Sequence, residues 1–322
     1  FFFIKHSIFT IFAILIMIFI SLIKTEKLIK LVFPIFTICF IFLLIVPIVG
    51  VEVKGAKRWL NLYLFNLQPI EILKPFFILM TVKILTLEKF ESLKIKYFLS
   101  FMLLSSVIIL LVDQPDLGQS ILLICSWIAI IFTSGVSIIY IFTFFLIFLT
   151  LFSSLLFLFP EKFGYITSRL LSFFDPTFGD KFQSSSALDA IRLGGLTGQG
   201  MGEGILKDSV PEAHTDYIIA VISEEYGSVV SIAILIIFLY ISFRIIKSCF
   251  NQENKFLKFS LSGLATLLIF QAFIHAGVNT NLLPTTGMTL PFLSYGGSSL
   301  IGSSILAGLV LNYTKNTTYL YD

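Results

Sequence analysis

Apolar runs close to twenty residues long alternate along this chain with short stretches carrying Lys, Arg, Asp, Gly or Pro. A bilayer core of ~30 Å needs about 20 apolar residues per helix. On that length the pattern predicts nine spans, at roughly 6–23, 31–50, 69–88, 97–113, 117–134, 136–159, 216–245, 256–279 and 294–313. One interval breaks the rhythm. Residues 160–215 are polar and rich in Gly and Ser, and they lead into Pro211-Glu212-Ala213-His214-Thr215-Asp216. The apolar segment Tyr217-Ile218-Ile219-Ala220-Val221-Ile222-Ser223-Glu224-Glu225 follows at once. The expected fold class is all-α: a polytopic transmembrane helix bundle, one integral-membrane domain over 1–322 with one large loop at 160–215.

Composition agrees. Of 322 residues 57% are hydrophobic and 13% charged, with a mean hydropathy of +0.98. A water-soluble domain could not hide so much apolar surface. The net charge of +3 is spread over loops, so no nucleic-acid surface is implied. Cys39, Cys125 and Cys249 sit in or at the ends of apolar runs without ligand spacing, and the three histidines are too far apart for a zinc set.

Lys and Arg in short loops set orientation. Lys24, Lys27, Lys30, Lys83, Lys89, Lys94, Lys96, Arg244, Lys247, Lys255, Lys258 and Lys315 collect on one side, which is therefore read as cytoplasmic. Lys5, Lys54, Lys57 and Arg58 fall on the other, with Lys162, Arg169, Lys181, Arg192 and Lys207 in the long loop. The Gly55 loop, the Asp113–Asp116 turn, the 160–215 loop and the 280–293 loop then face outward. This count also puts residue 1 outside, so a further preceding span is expected.

Polar chemistry concentrates around Asp216. In a first helical turn a carboxylate is favoured by unpaired N–H groups and the helix dipole. It reads either as a cap or as a general base whose pKa desolvation would have to raise against that dipole. Glu224 and Glu225 lie about 12 Å further along one helix, at a depth that demands a cavity or a partner. His214 is a second acid–base candidate or polar packing, and His275 reads as an interhelical hydrogen bond. In Gln68-Pro69-Ile70-Glu71-Ile72-Leu73-Lys74-Pro75, Glu71 and Lys74 can pair, and Pro75 tends to kink the helix beside them. Lys74 could also reach Glu224 or Glu225. Asp116 reads as a helix cap. Gly55-Ala56-Lys57-Arg58-Trp59 reads as an interfacial anchor or an anionic head-group site. The glycine-rich 193–204 stretch lacks a nucleotide-binding spacing and reads as re-entrant or flexible. The small residues 296–299 permit close helix approach.

Several motifs now coincide. Pro211-Glu212-Ala213-His214-Thr215-Asp216-Tyr217 with Glu224-Glu225-Tyr226-Gly227 resembles the signature of the SEDS family (shape, elongation, division, sporulation). So does Gly287-Met288-Thr289-Leu290-Pro291-Phe292-Leu293-Ser294-Tyr295-Gly296-Gly297-Ser298-Ser299, and the 55–59, 68–74 and 114–118 motifs match in order. The resemblance covers essentially the whole chain. It favours the family's division branch over its elongation branch, and residues 187–200 are similar to alphaproteobacterial members. Family members carry about ten spans, so the first is expected to be lacking here.

The resemblance implies a peptidoglycan glycosyltransferase that polymerises lipid II at the outer face of the inner membrane, at the division septum, with Asp216 as the essential carboxylate. It implies as partners a septal class B penicillin-binding transpeptidase (FtsI-like) and other divisome membrane proteins. Lys57, Arg58, Glu71, Lys74, Arg192, Lys207, His214, Glu224 and Ser294 are the candidate substrate or cavity residues. Lys57, Arg58, Arg192, Lys207 or a divalent cation (Mg or Mn) could balance the departing pyrophosphate. The alternatives are a lipid II flippase built on the Glu71/Lys74 cavity and Glu224, or an elongation-type polymerase of the same family.

Overall fold

The computed structural model describes residues 2–53, 56–63, 65–88, 92–158, 160–174 and 182–318. Lys54, Gly55, Lys89 and Lys181, which entered the charge pattern and loop reading, lie outside the described residues. The helices are α1 (Phe2–Leu22), α2 (Thr25–Val49), α3 (Pro69–Thr86), α4 (Leu93–Asp113), α5 (Leu117–Thr133), α6 (Ile138–Leu158), α7 (Pro160–Phe174), α8 (Phe182–Gly194), α9 (Ile218–Tyr226), α10 (Ser228–Phe250), α11 (Lys255–Asn279) and α12 (Gly297–Thr318). Eight of the expected spans correspond to single helices, α1 to α6, α11 and α12. Ile4–Leu22, Thr25–Val49, Leu93–Asp113, Ser228–Phe250 and Lys255–Asn279 are the described helices long and apolar enough to cross a membrane on length and composition.

The span expected at 216–245 is corrected. The helix stops at Tyr226 and restarts at Ser228, so α9 is only about 14 Å long and α10 is the membrane-length segment. Gly227 makes the break with φ +87 and ψ 163, a conformation essentially confined to glycine. Glu224 and Glu225 therefore end a short separate helix instead of lying at the centre of a span.

Two loops carry more order than hydropathy alone indicates. The 160–215 interval holds α7, α8 and a short 3-10 turn at Lys207–Ser209. Between α2 and α3 stands an antiparallel meander of β1 (Val51–Val53), β2 (Ala56–Asn61) and β3 (Asn66–Leu67) in that spatial order. Its register pairs Glu52 with Lys57 and Leu60 with Leu67. Such short strands fall below what a hydropathy window registers.

The chain divides into two compact units. The first comprises Phe1–Ser134, Leu239–Phe270 and Pro291–Asp322; the second comprises Gly135–Phe238 and Gln271–Leu290. Two of the four dividing points fall inside α10 and α11, and the other two fall between α5 and α6 and between α11 and α12.

In the first unit α3 is buried almost all round, and α2, α4, α5 and α12 pack on it. It stays helical across Pro75. α12 in turn lies along α1. Small residues permit these approaches, as association between membrane helices requires. A Cβ on Gly302 would meet the Glu71 carbonyl oxygen at 2.3 Å, and one on Gly297 would meet the Phe9 ring at 2.7 Å. Outward faces are apolar: Ile8, Phe12, Leu15 and Phe19 of α1 are exposed, as lipid-facing positions should be.

Gly302→Ala should therefore separate α12 from α3 and destabilise the protein by about 1–3 kcal/mol. The check is the thermal midpoint of the detergent-solubilised protein. Gly296→Ala, whose Cβ would meet nothing nearer than 3.5 Å, should leave that midpoint in place.

Candidate active site

Asp216 lies in the second unit, in the turn before α9. Its helix starts at Ile218 with Tyr217 as N-cap, so Asp216 precedes the first helical turn that the sequence reading assigned to it. The turn is organised by one carbonyl. The Thr215, Asp216 and Tyr217 N–H groups all donate to Glu212 O, at 3.0, 3.1 and 3.2 Å. Thr215 Oγ1 donates to the Glu212 carboxylate at 2.8 Å. Glu212 adopts φ 57, a left-handed conformation that this convergence sustains.

Asn279, the last residue of α11, fastens the turn to its unit. Its Nδ2 donates to the Asp216 carbonyl at 3.0 Å and to His275 O at 2.8 Å, while its Oδ1 accepts from the Ala220 N–H at 3.1 Å. One fully buried amide thus serves an N–H of the first turn of α9 and the backbone of the candidate base. Gln271, His275 and Asn279 are four apart and share a face. Gln271 Nε2 donates to Thr289 O at 2.9 Å, and His275 Nδ1 donates to Met288 O at 2.7 Å. The partner of His275 is thus a loop carbonyl and not another helix. Asp216 is half-buried and His214, in the same turn, is exposed. Tyr217 is buried beside them. Its phenol is pushed up to about 12, first by burial and then by the Asp216 carboxylate, with Arg169 acting in the opposite sense.

The other end of α9 is closed by the glycine-rich stretch. The N–H groups of Gln199 and Gly200 donate to Glu224 O and Glu225 O at 2.8 and 3.0 Å, and Ser228 N–H donates to Gly195 O at 2.9 Å. Carbonyls left over by the helix end are satisfied there. The approach is so close that a Cβ on Gly198, at φ +80, would meet Glu225 O at 2.3 Å. The stretch read as re-entrant or flexible is hydrogen-bonded to the helix it covers. Glu224 is fully buried, and its Oε1 accepts from the Leu206 N–H at 2.7 Å. Lys207 Nζ pairs with Glu225 Oε1 at 2.5 Å and donates to Gly202 O at 3.2 Å. The hydrogen bond to the Glu225 carboxylate raises the Lys207 pKa. Arg192 pairs with Asp189 at 3.5 Å, both largely exposed.

The remaining candidates belong to the first unit. Glu71 and Lys74 pair at 2.8 Å, both buried, and Gln119 Nε2 donates to Glu71 Oε1 at 2.7 Å. The alternative partners suggested for Lys74, Glu224 and Glu225, are engaged with Leu206 and Lys207. Asp116 caps α5 by accepting from the Gln119 N–H. Arg58 lies against the same turn, donating to Gln114 O at 3.0 Å and to Pro115 O, with Asp116 Oδ2 at 4.0 Å. Lys57, its neighbour on β2, points to the opposite face and is exposed. Ser294 is buried in the turn before α12, and Ser298 Oγ accepts from the Gln68 N–H and donates to Asn66 O.

A family model described as cell cycle protein (FtsW/RodA/SpoVE) matches residues 1–319. The chain belongs to this family. It is a multi-pass membrane protein, and the SEDS resemblance holds over its length. A probable peptidoglycan glycosyltransferase FtsW of Caulobacter vibrioides (strain NA1000 / CB15N) is 36% identical over 270 residues, covering 84% of this chain and 68% of that protein. A protein of the same description from Geobacter sp. (strain M18) is 39% identical over 280 residues, covering 85% and 75%. Among solved structures, a chain from work on structural coordination of polymerization and crosslinking by a peptidoglycan synthase complex superposes with a TM-score of 0.82 and 25% identity, covering 97% of this chain and 89% of that one.

Asn279 is the site residue that motif reading of this SEDS chain passes over. Its signal was present as polar residues at 271, 275 and 279 on one face of an apolar span. Replacing it, as Asn279→Leu, leaves the Ala220 N–H and Asp216 carbonyl without their buried partner, at about 1–3 kcal/mol. Hydrogen exchange should show faster exchange at the start of α9, with the α8–α9 loop contacts unchanged.

Proposed function

We propose that this chain is the lipid II polymerase of septal cell-wall synthesis, an inverting peptidoglycan glycosyltransferase with Asp216 as its general base. The observation that carries the reading is the seat of Asp216. A carboxylate stands outside the helix end, half-buried, on a backbone held by Asn279 and the Glu212 carbonyl. Two relatives described as probable peptidoglycan glycosyltransferases support the reaction class.

Asp216 takes the proton from the 4-hydroxyl of the acceptor GlcNAc as that oxygen attacks the anomeric carbon of the donor MurNAc. The bond to the polyprenyl pyrophosphate breaks with inversion, and the pyrophosphate leaves with the bond's electron pair. A held backbone keeps the carboxylate in line for that transfer, where displacement by about 1 Å can cost 10²-fold in rate. Of the cations considered for the leaving group, Arg192 and Lys207 belong to the same unit as Asp216, Arg192 beside Asp189 at the surface and Lys207 paired with Glu225. No three His, Cys, Asp or Glu side chains converge among the described residues, so a Mg or Mn ion here would be held by one or two carboxylates together with the substrate's pyrophosphate. The outward-facing site, the septal location and the class B transpeptidase partner belong to the same proposal. The solved peptidoglycan synthase complex, whose description joins polymerization with crosslinking, supports such a partner.

The flippase alternative relies on Glu71 and Lys74. Their ion pair is completed by Gln119 and covered where α12 approaches at Gly302, which favours a packing role. Purified Asp216→Asn with its cognate transpeptidase should form no glycan polymer from lipid II in detergent, while keeping the wild-type thermal midpoint and partner binding. Strands of normal yield from that variant would reject Asp216 as the base.

A further inference from the structure

We propose that a cavity at the lysine-rich end of the first unit binds the head group of an anionic phospholipid. The cavity measures about 630 Å³ and lies where α3 and α5 end and α4 and α11 begin. Such a volume suits a small ligand. Lys83, Lys96 and Lys255 line it, against Glu88 as the one carboxylate among the described lining residues. Lys83 is half-buried and donates to the Ile29 carbonyl at 3.1 Å. An ammonium group has three donors, so two remain for a ligand. Neither Lys96 nor Lys255 has an ion pair among the described residues.

A lipid, and not a soluble anion, is indicated by what adjoins the cations. Leu93 lines the cavity and is 60% exposed, and Ile95, Phe98 and Met102, at i, i+3 and i+7 along α4, give an exposed apolar face beside it. A phosphate held by the lysines would thus leave its acyl chains along an outward apolar helix face. The lysine distribution assigns this end to the cytoplasmic leaflet, where basic pockets between membrane helices hold anionic head groups. The site is made wholly of first-unit residues and uses none of the groups assigned to the glycosyl transfer.

The full chain, purified in a mild detergent, is offered equal amounts of phosphatidylglycerol and phosphatidylcholine, and retained lipid is measured by native mass spectrometry. Wild type should retain phosphatidylglycerol selectively, and Lys96→Gln with Lys255→Gln should lower retention roughly fivefold for each lysine removed. Lys30→Gln with Lys94→Gln, an equal charge loss at exposed positions that do not line the cavity, should retain as wild type does. Millimolar inorganic phosphate should not displace the lipid. Unchanged retention in the cavity variant, equal loss in the control variant, or displacement by phosphate would each overturn the assignment.

Discussion

A backbone polar group withdrawn from water must find a partner, and around α9 that requirement governs where functional groups stand. The helix is too short to cross a membrane, and its ends would leave donors and acceptors exposed to an apolar surrounding. Asn279 serves the first turn, and the Gln199 and Gly200 N–H groups serve the last. Glycine is needed where these chains meet, because at Gly198 and Gly227 a side chain would occupy the position of a carbonyl oxygen. The seat of Asp216 follows from these closures. Its carbonyl is tied to α11, its N–H to Glu212, and the next residue caps the helix.

The same pressure sorts the charged side chains into two groups. Glu71 with Lys74 and Gln119, Asp116 with Arg58 and Gln68, and Glu225 with Lys207 are engaged within their own units. Removing one member of the buried Glu71 or Asp116 set is more costly than the pair is stabilising, which makes these residues supports of the fold, while the Glu225–Lys207 pair is part-exposed. Lys57, Lys83, Lys96 and Lys255 form the second group, with donors left for an anion. Residue type alone does not separate the groups. Arg58 and Lys57 are neighbours in one strand, and the alternation of the strand sends one to the Asp116 turn and the other to the surface.

Much of the architecture is legible in hydropathy because the bilayer imposes one length on every crossing helix. The spans at α1 to α6, α11 and α12 follow from it, and the pairing of Glu71 with Lys74 follows from helical spacing. The sequence reading joined α9 to α10, since apolar residues continue through Gly227 and one glycine is tolerated in many helices. What stops the helix there is contact with Leu196 and Thr197, about thirty residues earlier in the chain. The β1–β3 meander escaped for another reason: its pairing joins strands too short to carry an alternation signal.

The amino-acid order by itself determined the class of molecule, the family and most of the membrane-length helices, and it singled out Asp216 as the candidate carboxylate. These depend on local composition and on motifs contiguous in the chain. Tertiary structure decided which cations are engaged and which remain available, that the glycine-rich stretch is a closure for α9, and that an amide 63 residues away holds the Asp216 backbone. Each of those outcomes depends on hydrogen bonds between distant segments, and such a bond leaves no periodic trace in either segment alone.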